Sequence, residues 1–296
     1  MLSLITLITL PLFVNAAPRP VRRATDLSTQ DIDGFTPFTN FALAAYCPDN
    51  IGTWECGTSC EANSDFEVSA NGGDGADIQY YYIGYSPSLQ TIIVAHQGTD
   101  PKELEADLTD IDIPQDVVDE TLFPGLDDDV LVHEGFRDAQ AQTAGAVLDS
   151  VKSLLASSGS NVITVVGHSL GGALAELDSV FLKLNLPDAT VNVVTYGKPR
   201  VGNEAWAEAV DATVDSFKRV DNMHDMVPIL PGRGLNFAHP EGEIHIVDEG
   251  VWAVCPGIDN ADDDDCTIKT VPNIFDGSIA DHRGPYNGIY LTSKNC

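Results

Sequence analysis

Ser169 stands in Gly167-His168-Ser169-Leu170-Gly171-Gly172, directly after the apolar run 162–166 and before the helical stretch 173–184. A serine on a sharp strand-to-helix turn is pushed outward, and glycines on either side let strand and helix approach closely. The start of the helix adds backbone N–H groups and a positive dipole end, which stabilise a developing oxyanion. A serine hydroxyl attacks a carbonyl only when a histidine takes its proton, and that histidine needs a carboxylate to orient it. On this kind of fold the acid precedes the base, and both follow the serine. Asp225, in a loop after a strand-like stretch, is the acid candidate, with Asp221 as the fallback. His239, His245 and His282 all lie downstream. His245 sits between two isoleucines, which suits a packed structural histidine, whereas His282 lies in a C-terminal loop able to reach over a sheet. His168, next to the serine, points elsewhere on the turn and reads as structural support.

The elements that must hold these groups alternate. Residues 78–83, 91–95, 162–166 and 191–196 are rich in β-branched and aromatic residues, and the near-continuous apolar runs predict strands covered on both faces. Between them, Ala144, Val147, Val151, Leu154 and Leu155 recur at helical spacing. Strand and helix in alternation predict a mostly parallel sheet with crossover helices. Residues 244–247 and 251–254 predict a hairpin near its edge. No repeat or long linker divides the chain.

The chain has 296 residues, 43% of them hydrophobic, enough for a large core. With 15 Lys and Arg against 45 Asp and Glu, its formal charge is −30. Such a field repels phosphate backbones and anionic headgroups, which excludes nucleic acid as a partner. It also suggests that a catalytic imidazole would titrate upward. The apolar stretch 2–14 ending in Asn15-Ala16-Ala17 predicts a secretory signal over 1–17, and Pro11 and its shortness argue against a membrane span. Residues 18–23 end in Arg22-Arg23 and predict a short pro-peptide, leaving 24–296 as a single domain with no integral membrane segment. Six cysteines, Cys47, Cys56, Cys60, Cys255, Cys266 and Cys296, favour three disulfides in an oxidising compartment. Sequence alone permits 15 pairings. Spacing suits local staples at Cys56/Cys60 and Cys255/Cys266, which would leave Cys47 and Cys296 to join the two ends. The run Asp262-Asp263-Asp264-Asp265 reads as a solvated acidic loop rather than a calcium site.

From residue 35 to the C-terminal cysteine the sequence resembles the fungal class 3 lipases, a secreted α/β-hydrolase family of triacylglycerol lipases and related feruloyl esterases. The resemblance rests on Gly167-His168-Ser169-Leu170-Gly171-Gly172-Ala173, Tyr196-Gly197-Lys198-Pro199-Arg200-Val201-Gly202-Asn203, Asp225-Met226-Val227-Pro228-Ile229-Leu230-Pro231, and His282, in that order. It implies an α/β-hydrolase fold with helices flanking a mostly parallel sheet, a nucleophile elbow and an amphipathic lid helix. It further implies the triad Ser169, Asp225, His282 and the disulfides Cys47–Cys296, Cys56–Cys60 and Cys255–Cys266. An oxyanion hole at Thr99 and the N–H of Leu170 is implied too, with Gln97 standing where the family often has arginine. The resemblance puts a lid on the stretch after Thr99, where Leu104, Leu108 and Ile111 fall on one apolar stripe of an acidic helical pattern; an ordinary amphipathic surface helix with that stripe in the core would show the same spacing. The implied activity is carboxylic-ester hydrolysis through an acyl-enzyme, that of a triacylglycerol lipase acting on a neutral ester at an oil–water interface; the enzyme is expected to be a secreted monomer that needs no metal or organic cofactor. A short-chain or feruloyl-type esterase would share every one of these residues. A catalytically silent binding protein would show a broken triad or oxyanion position, and none is broken.

Overall fold

Apolar runs without alternation need cover on both faces, and the computed structural model provides it. The structure describes residues 23–99 and 114–296. The expected signal 1–17, the expected pro-peptide apart from Arg23, and the lid stripe Leu104, Leu108 and Ile111 lie outside the described residues.

Among the described residues nine strands form one sheet. Its centre is β4 (Thr91–His96), β7 (Val162–His168), β8 (Thr190–Tyr196), β9 (Ser216–Asn222) and β10 (Glu243–Asp248), each parallel to the next. Antiparallel strands flank this centre: β3 (Tyr81–Ser86) and β2 (Glu67–Gly72) beyond β4, and β11 (Val251–Cys255) and β1 (Thr25–Asp26) beyond β10. A separate two-stranded ribbon pairs β5 (Gln115–Val117) with β6 (Leu131–His133).

Helices cover both faces. On one, α1 (Thr29–Asp33), α2 (Thr36–Ala44) and α3 (Thr58–Ala62) pack with Ile93, Ala95, Val166, Tyr196 and Val220. On the other, α4 (Glu134–Ser158), α5 (Leu170–Asn185) and α6 (Glu204–Thr213) pack with Ile92, Val94, Ile163, Val165 and Val193. Successive residues of β4 thus serve opposite cores, which is why its sequence shows no polar alternation. In α4 the expected stripe holds: Ala144, Val147 and Val151 are fully buried.

The predicted 78–83 strand starts three residues late, at Tyr81. The Asp74 carboxylate accepts the main-chain N–H groups of Ala76 and Ile78, so a side-chain-capped turn takes the amide that a ladder would need. The short elements β1, β2, β5 and β6 carried no periodic signal. All six cysteines are paired as Cys47–Cys296, Cys56–Cys60 and Cys255–Cys266. In the acidic run Asp264 is 90% exposed, as a solvated loop requires. Among the described residues no helix is long and apolar enough to cross a membrane.

Candidate active site at the nucleophile elbow

Between the end of β7 and the start of α5 a single residue, Ser169, reverses the chain. Its φ of 57° and ψ of −130° lie where side-chain-bearing residues are rarely found. The surrounding contacts leave no wider path: a Cβ on Gly167 would strike the carbonyl of Gly171, and one on Gly171 the carbonyl of His96. The amides of Leu170 and Gly171 open α5, where no preceding turn can supply acceptors. Beside them runs the end of β4, and a Cβ on Gly98 would lie 2.9 Å from that of Ser169. Thr99, half-buried, follows at once. The sequence-predicted donors and the serine therefore share one corner of the sheet.

Buried ionic contacts lock that corner. Glu176 and Asp178 of α5 are fully buried, an arrangement that needs partners. Lys198, just beyond β8, reaches Glu176 at 2.5 Å, and Trp206 Nε1 donates to the same carboxylate. Asp178 lies 2.8 Å from His96 Nε2 at the end of β4, and Gln140 of α4 donates to its other oxygen. The helix that begins at the serine is thus tied to the two strands beside it.

Asp225 and His282 come together from separate loops. The imidazole Nδ1 lies 3.0 and 2.9 Å from the two carboxylate oxygens of Asp225. The Val227 N–H donates to Asp225 as well. His282 closes the short helix α7 (Ile279–His282), and its ring lies 4.5 Å, centre to centre, from that of His168. Its Nε2 is buried and has no hydrogen-bond partner among the described residues, so Ser169 and His282 are not hydrogen-bonded in this structure. An open contact of this kind is common before substrate binds.

Burial disfavours charge on both partners. It pushes His282 down to about 3, with Arg283 adding to the effect, and pushes Asp225 well above the ordinary carboxylate value. The upward titration expected from the net charge is therefore corrected. Local desolvation and one adjacent guanidinium outweigh a surface field that water and salt screen.

The other candidates have different work. Asp221 is paired with Arg219 and accepts from Thr267, away from His282. His239 accepts from Lys198 and donates to the carbonyl of Pro228. His245 is fully buried, its two ring nitrogens on the carbonyls of Asp265 and Met223. His168 Nε2–H donates to the carbonyl of His282 at 2.8 Å while Nδ1 accepts from the Tyr46 hydroxyl at 2.6 Å. The expected support role thus has a target, the backbone of His282.

Sequence reading missed two residues here. The Tyr286 hydroxyl donates to the same His282 carbonyl at 3.1 Å, and Tyr46 holds His168 from 122 positions away. Tyr286, four residues after His282, had a local signal in its spacing; Tyr46 had none. The described residues include one cluster with metal-ligand types, Glu243, Cys255 and Cys266. Its two cysteines are bonded to each other and offer no thiolate.

Comparison with known proteins matches this geometry. Residues 93–235 fit the family model for lipase (class 3). A secreted mono- and diacylglycerol lipase of Malassezia globosa is 31% identical over 259 residues, covering 86% of this chain and 81% of that protein. A lipase of Rhizomucor miehei is 28% identical, covering 91% of this chain and 71% of that protein. Among solved structures, lipase II from Rhizopus niveus superposes with a TM-score of 0.79 at 26% identity, over 91% of this chain and 99% of that one. Sequence, fold and elbow geometry agree, and the chain belongs to the class 3 lipases as a secreted serine hydrolase of carboxylic esters.

Proposed function

We propose that Ser169 is the nucleophile, His282 the general base and acid, and Asp225 the carboxylate that orients it, with Thr99 and the Leu170 N–H receiving the oxyanion. One observation carries the assignment: His282 Nδ1 is held by both oxygens of Asp225, and among the described residues its Nε2 has no partner. In the acylation step, Nε2 takes the serine proton as Oγ attacks the ester carbonyl. The same proton then goes to the leaving alcohol. Water deprotonated at Nε2 next attacks the acyl carbonyl and releases the acid and Ser169. Donors fixed at the elbow need no rearrangement as charge develops on the carbonyl oxygen.

The substrate proposed is an acylglycerol presented at an oil–water interface, hydrolysed by a monomer. The names of the Malassezia and Rhizomucor relatives support lipid esters. So does Phe275, which is 91% exposed in the 3-10 turn Ile274–Asp276 that precedes α7. Its neighbour Gly277 packs on Met226, beside Asp225. Leu104, Leu108 and Ile111 are proposed to form the apolar face of the lid. Residues 1–17 are proposed as the signal and 18–23 as the pro-peptide, with one domain from Ala24 onward. Measured rates on emulsified di- and triacylglycerols, on p-nitrophenyl esters of rising chain length and on methyl ferulate test the substrate. Long-chain acylglycerols turned over at least tenfold faster than the ferulate is the expected result; the reverse order assigns a phenolic-ester esterase.

The lowered proton affinity of His282 gives a pH prediction. A general base works only when unprotonated, so lowering its pKa extends activity into acid. The acid limb of kcat/KM on a soluble ester should fall well below the ordinary histidine value of 6.5, toward about 3. A profile from pH 3 to 8 with a midpoint at or above the ordinary value would show that burial does not govern this imidazole.

A further inference from the structure

Ala24 does more than follow the paired arginines. Its main-chain N–H donates to Asp263 Oδ2 at 2.8 Å, and a relay of contacts leads on from there. Asp263 Oδ1 accepts the N–H of Asp265 at 3.1 Å. The carbonyl of Asp265 lies 2.7 Å from His245 Nδ1, and His245 Nε2 lies 2.9 Å from the carbonyl of Met223. Met223 takes a positive φ of 46° two residues before Asp225, at the turn that presents this carboxylate. Two side chains, Asp263 and His245, thus link Ala24 to the Asp225 turn. The strand after Ala24 is fixed as well: Thr25 and Asp26 pair with Val254 and Ala253 of β11, and the Leu27 N–H donates to the carbonyl of Trp252.

We propose that cleavage after Arg23 turns the Ala24 nitrogen into an α-ammonium that binds Asp263, and that this new terminus braces, through Asp265 and His245, the turn carrying Asp225. The proposal rests on the processing and the Asp225 role proposed above. A dibasic-specific secretory endopeptidase adds water across the Arg23–Ala24 peptide bond. Arg23 leaves with a carboxylate, and the freed amine takes a proton at neutral pH, since an ordinary α-amino group titrates at about 7.7–8.0. Arg23 is exposed, as such cleavage requires. One neutral N–H donor becomes three charged ones facing a carboxylate, and charge-assisted bonds are roughly twice as strong as neutral ones. Asp263 suits the role, because the Ala24 and Asp265 N–H groups already hold it below the usual carboxylate range. Asp263 is a positioning residue and touches no substrate.

The test uses the full chain secreted from a host with dibasic-cleaving activity, and an Arg22→Ala/Arg23→Ala form that keeps the upstream segment. Each is made with and without Asp263→Asn. N-terminal sequencing should give Ala24 for the cleaved enzyme. In that enzyme Asp263→Asn should lower the thermal midpoint by about 2–4 °C. It should also reduce kcat on a soluble ester about threefold at unchanged KM, with recovery in Asp263→Glu. In the uncleaved form the same substitution should cost less than half as much. Equal losses in the two forms, or a terminus other than Ala24 on a fully active enzyme, overturn the proposal and leave the hydrolase assignment standing. Failure of the Ser169 assignment would appear instead as retained activity in Ser169→Ala.

Discussion

Ser169→Ala should lose hydrolysis of every ester by roughly 10⁴–10⁶-fold in kcat while keeping the fold. Alanine retains the Cβ, so the elbow at φ 57° and ψ −130° carries the same backbone strain before and after. The thermal midpoint should stay within a degree or two. What disappears is the hydroxyl of the proposed nucleophile, and with it the acyl-enzyme and the burst of alcohol release. The oxyanion donors and the bound geometry persist, so a residual rate above that in water should remain, on the order of 10³-fold. Active-site titration with a phosphonate ester gives the complementary readout: stoichiometric labelling of the native enzyme and none of the variant. A Ser169→Ala enzyme within tenfold of the native rate would remove the basis for the mechanism.

Gly197→Ala tests the pair that the serine depends on. Gly197 sits at φ +51° just after β8, and a Cβ there would lie 2.5 Å from Asp225 Oδ2, 2.6 Å from the Tyr286 hydroxyl and 3.0 Å from His282 Nδ1. No rotamer change relieves all three contacts, because each atom belongs to the packed pair or its brace. The carboxylate, the imidazole or both must shift by several tenths of an ångström. Displacements approaching 1 Å at a reacting centre cost about 10²-fold, and kcat should fall by that order. KM on a short soluble ester should change little, since the atoms that a Cβ would meet belong to Asp225, Tyr286 and His282, groups proposed to hold or move the proton rather than to bind the acyl chain. Loss confined to stability, with kcat preserved, would mean that the Asp225–His282 contact tolerates more movement than its burial implies.

The proposed chemistry was legible in the sequence because it depends on short-range constraints. Gly167 and Gly171 mark the elbow through spacing alone, and the apolar run 162–166 before them specifies the strand that the turn must leave. The proposed acid, Asp225, was legible from its place after a strand-like stretch, while the fallback Asp221 is held by Arg219 and Thr267 and it is Asp225 that meets His282. The three disulfides followed from cysteine spacing and family resemblance, because two of the pairs close local loops.

Other features depended on contacts between distant positions. Tyr46 steadies His168, and His168 steadies the carbonyl of His282, across 122 and 114 positions respectively. No local pattern encodes either distance. The sign of the His282 shift was misjudged from composition, since a net charge of −30 is a property of the surface, while the imidazole responds to the low-dielectric pocket and the guanidinium beside it. Residue type and spacing determined which groups can react and the turn that exposes the serine. Which histidine faces which carboxylate, and whether water reaches them, only packing decided, because desolvation and hydrogen-bond geometry exist only once remote segments meet.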